Sequence, residues 1–494
     1  MLDADWQDEA HYFRSEDTAE LRRILREGTY HAVVANPPYI TPKDAAANRA
    51  YRQLYPRSCH MKYSLSVPFM ERLFALAVRG TTATVSTARA QGRNLFDEEE
   101  SSDSPQPISP GFVGQITANS FMKREFGKKL IEDYFPTVDL THVIDTSGAY
   151  IPGHGTPTVI LFGRNRQPLQ ATIRTVLGIR GEPSTPDNPA EGGFWMAIHQ
   201  SIAHPSRAAT VRVRSPMETP AGGQSASSRA RLEDTAQFVS AGDSQRELFL
   251  KHPWSIGGGG ASELKEEIDS NNAIRLSAIV ESIGFFQDTH ADEAFVQPMG
   301  FSTRRGCNEG FIKHVRGDTV RDWASTAEEE ILFPYNRNLE QWQEVPLVSH
   351  WAWIHTLRTV LWSRSTFGGT SYRDSGRPWF DYHQFPKQRA KIPLSITFAE
   401  IATHNHFVLD RGGKVFNRTA PVIKLPADAT EDQHLALLGL LNSSTACFWM
   451  KQTLHDKGGG GIGGGLATEA WEHFYEFTGT GLQKFPVPAG TTAQ

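Results

Sequence analysis

The chain has 494 residues, of which 39% are hydrophobic and 21% charged, with a net charge of -5. That length calls for two or three domains, each large enough to bury a core, and the charge balance argues against a non-specific nucleic-acid coat while leaving room for a local basic cleft. No apolar run reaches the roughly 20 residues of a membrane helix, and the N-terminus "MLDADWQDEAHYF" is acidic where a signal peptide is basic and then apolar, so no membrane association and a cytoplasmic location are expected. Cys59, Cys307 and Cys447 are far apart and form no CxxC pair, which leaves neither a zinc site nor a disulfide framework to read.

In chain order, "AELRRILRE" from Ala19 has helical spacing, and "YHAVVA" from Tyr30 reads as a short buried strand running into a proline turn. "SLSVPFMERLFALAVR" from Ser64 is expected to be a helix with Phe69, Leu73, Leu76 and Ala77 on one face. After the acidic, serine-rich loop "DEEESSDSPQPISPG" come a strand in "GFVGQITANSF", a helix in "GKKLIEDYF" and strands in "LTHVIDT" and "TPTVILFG". Strands alternating with helices predict an open α/β sheet over residues 1–180. The Pro-, Gly-, Ser- and Ala-rich stretches "GEPSTPDNPAEGG" and "SPMETPAGGQSASSRA" predict a linker or insertion over 181–235. Residues 236–494, with short mixed elements and many aromatics, are expected to form an α+β domain ending in a helical, Gly-rich tail. The runs "SIGGGGASELKEE" and "DKGGGGIGGG" match neither GxxxxGK[ST] nor a GxGxxG between strand and helix, so neither is assigned to nucleotide binding.

The most informative stretch is Asn36, Pro37, Pro38 and Tyr39, directly after an apolar strand. Open α/β sheets place their ligands at strand carboxyl ends. The prolines remove two N–H donors and fix φ, so the turn is rich in acceptors. Such a pocket suits a planar exocyclic amine, which would donate to the side-chain oxygen of Asn36 and the carbonyl of Pro37 while Tyr39 stacks on its ring. The rate would come from holding that amine in line with an activated methyl sulfonium. A bare Asn-Pro-Pro also reads as a tight turn closing a strand. With the strand before it, the stretch resembles the adenine-N6 DNA methyltransferases whose cofactor motifs precede the catalytic one, and among them the large PglX-type enzymes of bacteriophage-exclusion (BREX) systems.

The resemblance extends along nearly the whole chain. It implies a partial doubly wound, Rossmann-like methyltransferase sheet over 1–180, a target-recognition domain over 236–494, S-adenosylmethionine as methyl donor and double-stranded DNA as partner. "IDTSGAYIPGHGTPTVILF" is similar to the segment that supplies a second aromatic against the flipped base, which points to Tyr150, a residue that also reads as a loop tyrosine packed on the sheet edge. "GFFQDTHADEAFV", "VRGDTVRDW" and "LFPYN" are similar to the specificity region of fused restriction-modification enzymes. From chemistry alone, "STRRGCNEGFIKHVRG" gathers Arg304, Arg305, Lys313, His314 and Arg316 with Phe311, a cluster suited to phosphates and base edges, or else a solvated charged face.

The family's "DPACGSG"-like glycine turn for the cofactor is not found before Asn36, and Asp5 in "DADW" is the candidate cofactor-binding acid. The expectation is therefore the C-terminal part of a longer methyltransferase, through a truncated gene, a mis-assigned start or a split enzyme, inactive alone and partnered by an upstream segment or other phage-defence subunits. The competing readings are a non-catalytic DNA-binding specificity module and a protein-glutamine N5 methyltransferase. The latter also uses Asn-Pro-Pro-Tyr but is more compact.

Overall fold

A computed structural model of the protein describes residues 18–80, 108–152, 155–182, 185–203, 238–271, 273–321, 323–346, 348, 351–459 and 473–491. The strand before the proline turn is β1, Ala32–Ala35, which pairs in parallel with β2, Phe112–Ala118, in the register Ala32↔Phe112 to Ala35↔Gln115. Its predicted burial is corrected: β1 is an end strand of its sheet, and Val34 is 83% exposed. Alternation then turns Val33 and Ala35 to the protein and Val34 to solvent.

Four more strands complete this sheet: β3, Asp139–Asp145, β4, Thr158–Arg164, β5, Thr172–Gly178, and β6, Val239–Gln245. The order is β1-β2-β4-β3-β5-β6. The pairs β1/β2 and β3/β5 are parallel, whereas β2/β4, β3/β4 and β5/β6 are antiparallel. The architecture is thus mixed α/β and not the uniformly parallel sheet that alternation suggests. The reason lies between β3 and β4, where the connection carries no helix among its described residues, and a strand that returns without a crossover lies antiparallel.

Helix α1, Thr18–Ile24, α2, Ala45–Leu54, and α3, Ser66–Leu76, fall where helical spacing occurs or where Asp44 caps the first turn by accepting from Ala47 N at 2.7 Å. The inward stripe of α3 is Val67, Met70, Leu73 and Phe74, while Phe69 is 41% exposed, so the expected face is turned by about a quarter of the helix. The expected helix in "GKKLIEDYF" is a run of short turns, with a π-helical segment at Leu130–Tyr134 flanked by 3-10 turns. Gly127 fits there because a Cβ would stand 1.8 Å from the carbonyl oxygen of Phe121.

Two features tie distant sequence to this sheet. Asp139 is buried and takes Arg166 Nε at 2.9 Å and Arg246 Nη2 at 3.0 Å. Trp254, fully buried, packs on Phe121, Phe135 and Phe249 and donates to the carbonyl of Phe249. The predicted linker is corrected in part, since Gly193–Ala203 forms helix α4, whose Phe194, Ala197 and Ile198 are buried with Ile144, Val176 and Val239. Residues 204–237 lie outside the described set.

The chain divides into a first unit of residues 1–150 and 158–254 and a second of 151–157 and 255–494, so the division falls after Trp254 rather than at 235/236. The second unit is built on two four-stranded sheets. One contains Phe311–Val315 between Lys414–Phe416, in parallel, and Glu329–Leu332, antiparallel. The other contains Ser395–Phe398 between Phe407–Asp410 and Val422–Lys424, both antiparallel. A single apolar cluster that includes Phe295, Ile331, Phe398, Ile423 and Trp449 fills it. Two adjoining helices follow, Glu431–Leu441, opened by a Thr430/Gln433 capping box, and Ser444–Thr453. Among the described residues no helix is long and apolar enough to cross a membrane.

Candidate functional site

The turn that leaves β1 sets four residues at the carboxyl end of that strand. Pro37 is buried and anchors it, Asn36 and Pro38 are exposed, and Tyr39 is half-buried. The Tyr39 hydroxyl donates to Asn36 Oδ1 at 2.7 Å, and partial burial raises the phenol's pKa, so the hydroxyl remains a donor across the neutral range. The amide oxygen of Asn36 is therefore oriented by a neighbour three residues on, at a place open to solvent. Gln115, the register partner of Ala35, is buried, and neither amide atom has a hydrogen-bond partner among the described residues. Sequence reading missed Gln115, though a glutamine inside the apolar "FVGQITA" is the signal that marks it.

Tyr150 lies in the connection from β3 to β4 and is half-buried. β3 is antiparallel to β4, which is antiparallel to β2, so β3 runs in the direction of β1 and its carboxyl end, like that of β1, opens on one edge of the sheet. Tyr150 and Tyr39 thus share an edge, but three strand spacings separate β1 from β3, about 14 Å. The candidate cofactor acid Asp5 lies outside the described residues.

The basic cluster of the second unit is only partly one surface. Arg304 and Arg305 are exposed on the short helix Phe301–Arg305, with Arg305 4.9 Å over the Phe301 ring. Glu330 accepts from Ser302 Oγ at 2.9 Å near the start of that helix and is the register partner of exposed Lys313 on the neighbouring strand. His314 is a correction: strand alternation turns it inward, where it is buried between Gln287 at 3.3 Å and Glu329 at 3.2 Å. Burial lowers its pKa despite the carboxylate, so it is neutral at pH 7. The guanidinium of exposed Arg316 pairs with Asp318 at 2.6 Å and Glu329 at 3.4 Å. Arg316 borders a cavity of about 530 Å³ with Arg321 and the acids Asp292, Glu293, Asp318 and Glu329, so the acids there outnumber the arginines. Phe311 is half-buried and lies parallel to Trp351 with ring centroids 6.0 Å apart.

The Eco57I restriction-modification methylase family profile matches residues 2–94, a span that contains the Asn36 turn. The adenine-specific methyltransferase PglX of Streptomyces coelicolor is 43% identical over 499 residues, covering 99% of this chain and 37% of that protein. Among solved structures, the type IIL restriction-modification enzyme MmeI in complex with DNA aligns over 90% of this chain and 45% of its own, at 13% identity and a TM-score of 0.45. The type IIG restriction endonuclease BpuSI aligns over 93% and 47%, at 12% identity and a TM-score of 0.32, and at such scores neither likeness fixes the fold. The chain is thus similar in sequence to an adenine-specific methyltransferase, and it spans 37% of the length of that Streptomyces coelicolor relative.

Proposed function

We propose that this chain carries the adenine-facing part of a DNA adenine-N6 methyltransferase acting in phage defence or restriction-modification, with double-stranded DNA as partner. The observation that carries the reading is the Asn36 to Tyr39 turn at the carboxyl end of β1, with Asn36 Oδ1 already hydrogen-bonded and solvent-facing. An adenine taken out of the stack would donate its amine hydrogens to Asn36 Oδ1 and the Pro37 carbonyl, with the Tyr39 ring on its face. Two acceptors on one amine draw its nitrogen towards tetrahedral geometry and free the lone pair for attack. S-adenosylmethionine supplies the methyl group when bound. Tyr150 is the candidate second aromatic. In this reading the first unit is the substrate half of a Rossmann-like methyltransferase sheet, and the second unit reads sequence, with Arg304, Arg305 and Lys313 on phosphates and Arg316 at base edges only if it exchanges its carboxylates. A segment upstream of β1 or other defence subunits would complete the assembly.

The test is nucleoside analysis of DNA from cells expressing the complete system. N6-methyladenine is expected with the native chain and its loss with Asn36→Ala, while duplex affinity stays within about twofold because no phosphate contact is removed. Methylcytosine alone, no modified base, or normal N6-methyladenine in the Asn36→Ala strain overturns the reading.

A further inference from the structure

Directly after the Asn36 turn, the chain makes an excursion that returns to its starting point. Leu65 N donates to the carbonyl of Ile40 at 2.8 Å, so residues 40–64 form a closed lobe whose base is one residue from Tyr39. The lobe carries Lys43, Arg49, Arg52, Arg57 and Lys62 against one carboxylate, Asp44, a net of +4 (five less one) in a chain of net -5. All five cations are exposed, and none forms an ion pair with any described residue. Asp44 is occupied as the cap of α2.

The lobe is built rather than loose. Tyr63 is fully buried, and its hydroxyl donates to the carbonyl of Asn48 at 3.0 Å. Arg52 donates to the carbonyl of Met61 and stands 5.9 Å from the Tyr63 ring centroid. These contacts tie the chain on either side of Lys62 to α2, the helix that carries Arg49 and Arg52. Arg57 donates to the carbonyl of Asp133 at 2.7 Å. Lys43, Arg49 and Lys62 make no hydrogen bond to the described residues and keep their heads in solvent. Gathering like charges in a fixed, unneutralised group is unfavourable for the free protein, and an opposing polyanion removes that cost. Ten helical residues extend about 15 Å, close to four phosphates along one strand of a duplex.

We propose that residues 40–64 form a phosphate-backbone clamp, with Lys43, Arg49 and Lys62 gripping duplex DNA next to the nucleotide delivered to Asn36. The inference rests on the DNA-methylating reading of the Asn36 turn and adds a second contact surface in the first unit. In fluorescence anisotropy with a labelled duplex and the full chain, Lys43→Gln/Arg49→Gln/Lys62→Gln should weaken binding at least tenfold at 0.1 M salt. It should also reduce the slope of log K against log salt by about 2.7, since each lost phosphate contact removes about 0.9. Lys43→Arg/Lys62→Arg should bind as the native chain does, which separates charge from a folding defect. Native affinity and slope in the triple variant overturn the clamp but leave the methylation assay, and hence the functional reading, standing. A native chain that binds phosphatidylserine vesicles but not duplex DNA also overturns it.

Discussion

The hydroxyl of Tyr39 donates to the same Asn36 oxygen that a substrate amine would need. On the proposed function, capture of an adenine would exchange one hydrogen bond for another at that atom, so the phenol would act as a placeholder while its ring supplied binding energy. Removing the hydroxyl and keeping the ring leaves Asn36 Oδ1 to solvent, where an unmade hydrogen bond costs little. Tyr39→Phe should therefore methylate within about threefold of the native rate, whereas Tyr39→Ala should lose a stacking contribution of roughly 1–3 kcal/mol, read as weaker binding of a duplex with an unpaired target adenine. Equal losses in the two variants would show that the hydroxyl, not the ring, is the working group. The turn from Asn36 to Tyr39 at the end of β1 was legible because proline-fixed turns carry their geometry in the sequence. The Tyr39 bond itself was not, since it depends on how the turn closes.

At the scale of elements, period identifies a helix or strand but not always the face it buries. "SLSVPFMERLFALAVR" contains two apolar stripes, and contact with the sheet selects Val67, Met70 and Phe74 over Phe69. "FIKHV" alternates correctly, yet a count of basic residues along it joins Lys313 and His314, which point to opposite faces. Composition misled in the Pro- and Gly-rich stretch, where "GFWMAIHQSIA" has enough apolar residues to fold onto the sheet as α4. The salt-bridged Asp139 could not be read at all, because its partners lie 27 and 107 residues away. That clamp is the most exposed to test. Asp139→Ala leaves Arg246, whose side chain is 11% exposed, without its anion, and breaking a buried pair from one side costs about 3–5 kcal/mol. The urea midpoint of the first unit should fall accordingly with an unchanged slope. A change under about 1 kcal/mol would mean that water or Arg166 rearrangement compensates.

The large apolar cluster of the second unit has a charge buried beside it. Lys424 is buried on the strand Val422–Lys424, donates to the carbonyls of Ile392 at 2.6 Å and Leu394 at 3.2 Å, and lies 5.9 Å from the Phe286 ring centroid. Burial lowers its pKa from 10.5 to about 8, with Asp410 pulling weakly the other way. Below pH 8 the amine is charged in both folded and unfolded chains, and the full burial cost, on the order of 3 kcal/mol, is present. Between pH 8 and about 10.5 the unfolded chain binds more protons than the folded one, so this group's contribution to stability rises with pH and then levels off. Other groups work against that trend in the same range. Burial raises Cys59 to about 11 and Tyr63 to about 12, so those groups ionise more readily unfolded and lower stability as pH increases. The native chain alone therefore does not isolate the lysine, but its difference from Lys424→Met does, because the opposing groups are common to both. Removing the amine leaves two carbonyls short of a donor, a penalty that does not vary with pH. The stability difference between native chain and variant, measured by denaturant at several pH values, should move by about 2–3 kcal/mol in favour of the native chain from pH 7.5 to 10. A difference that stays flat across that interval would mean that the amine titrates at its ordinary value and that the strand holds it within reach of water.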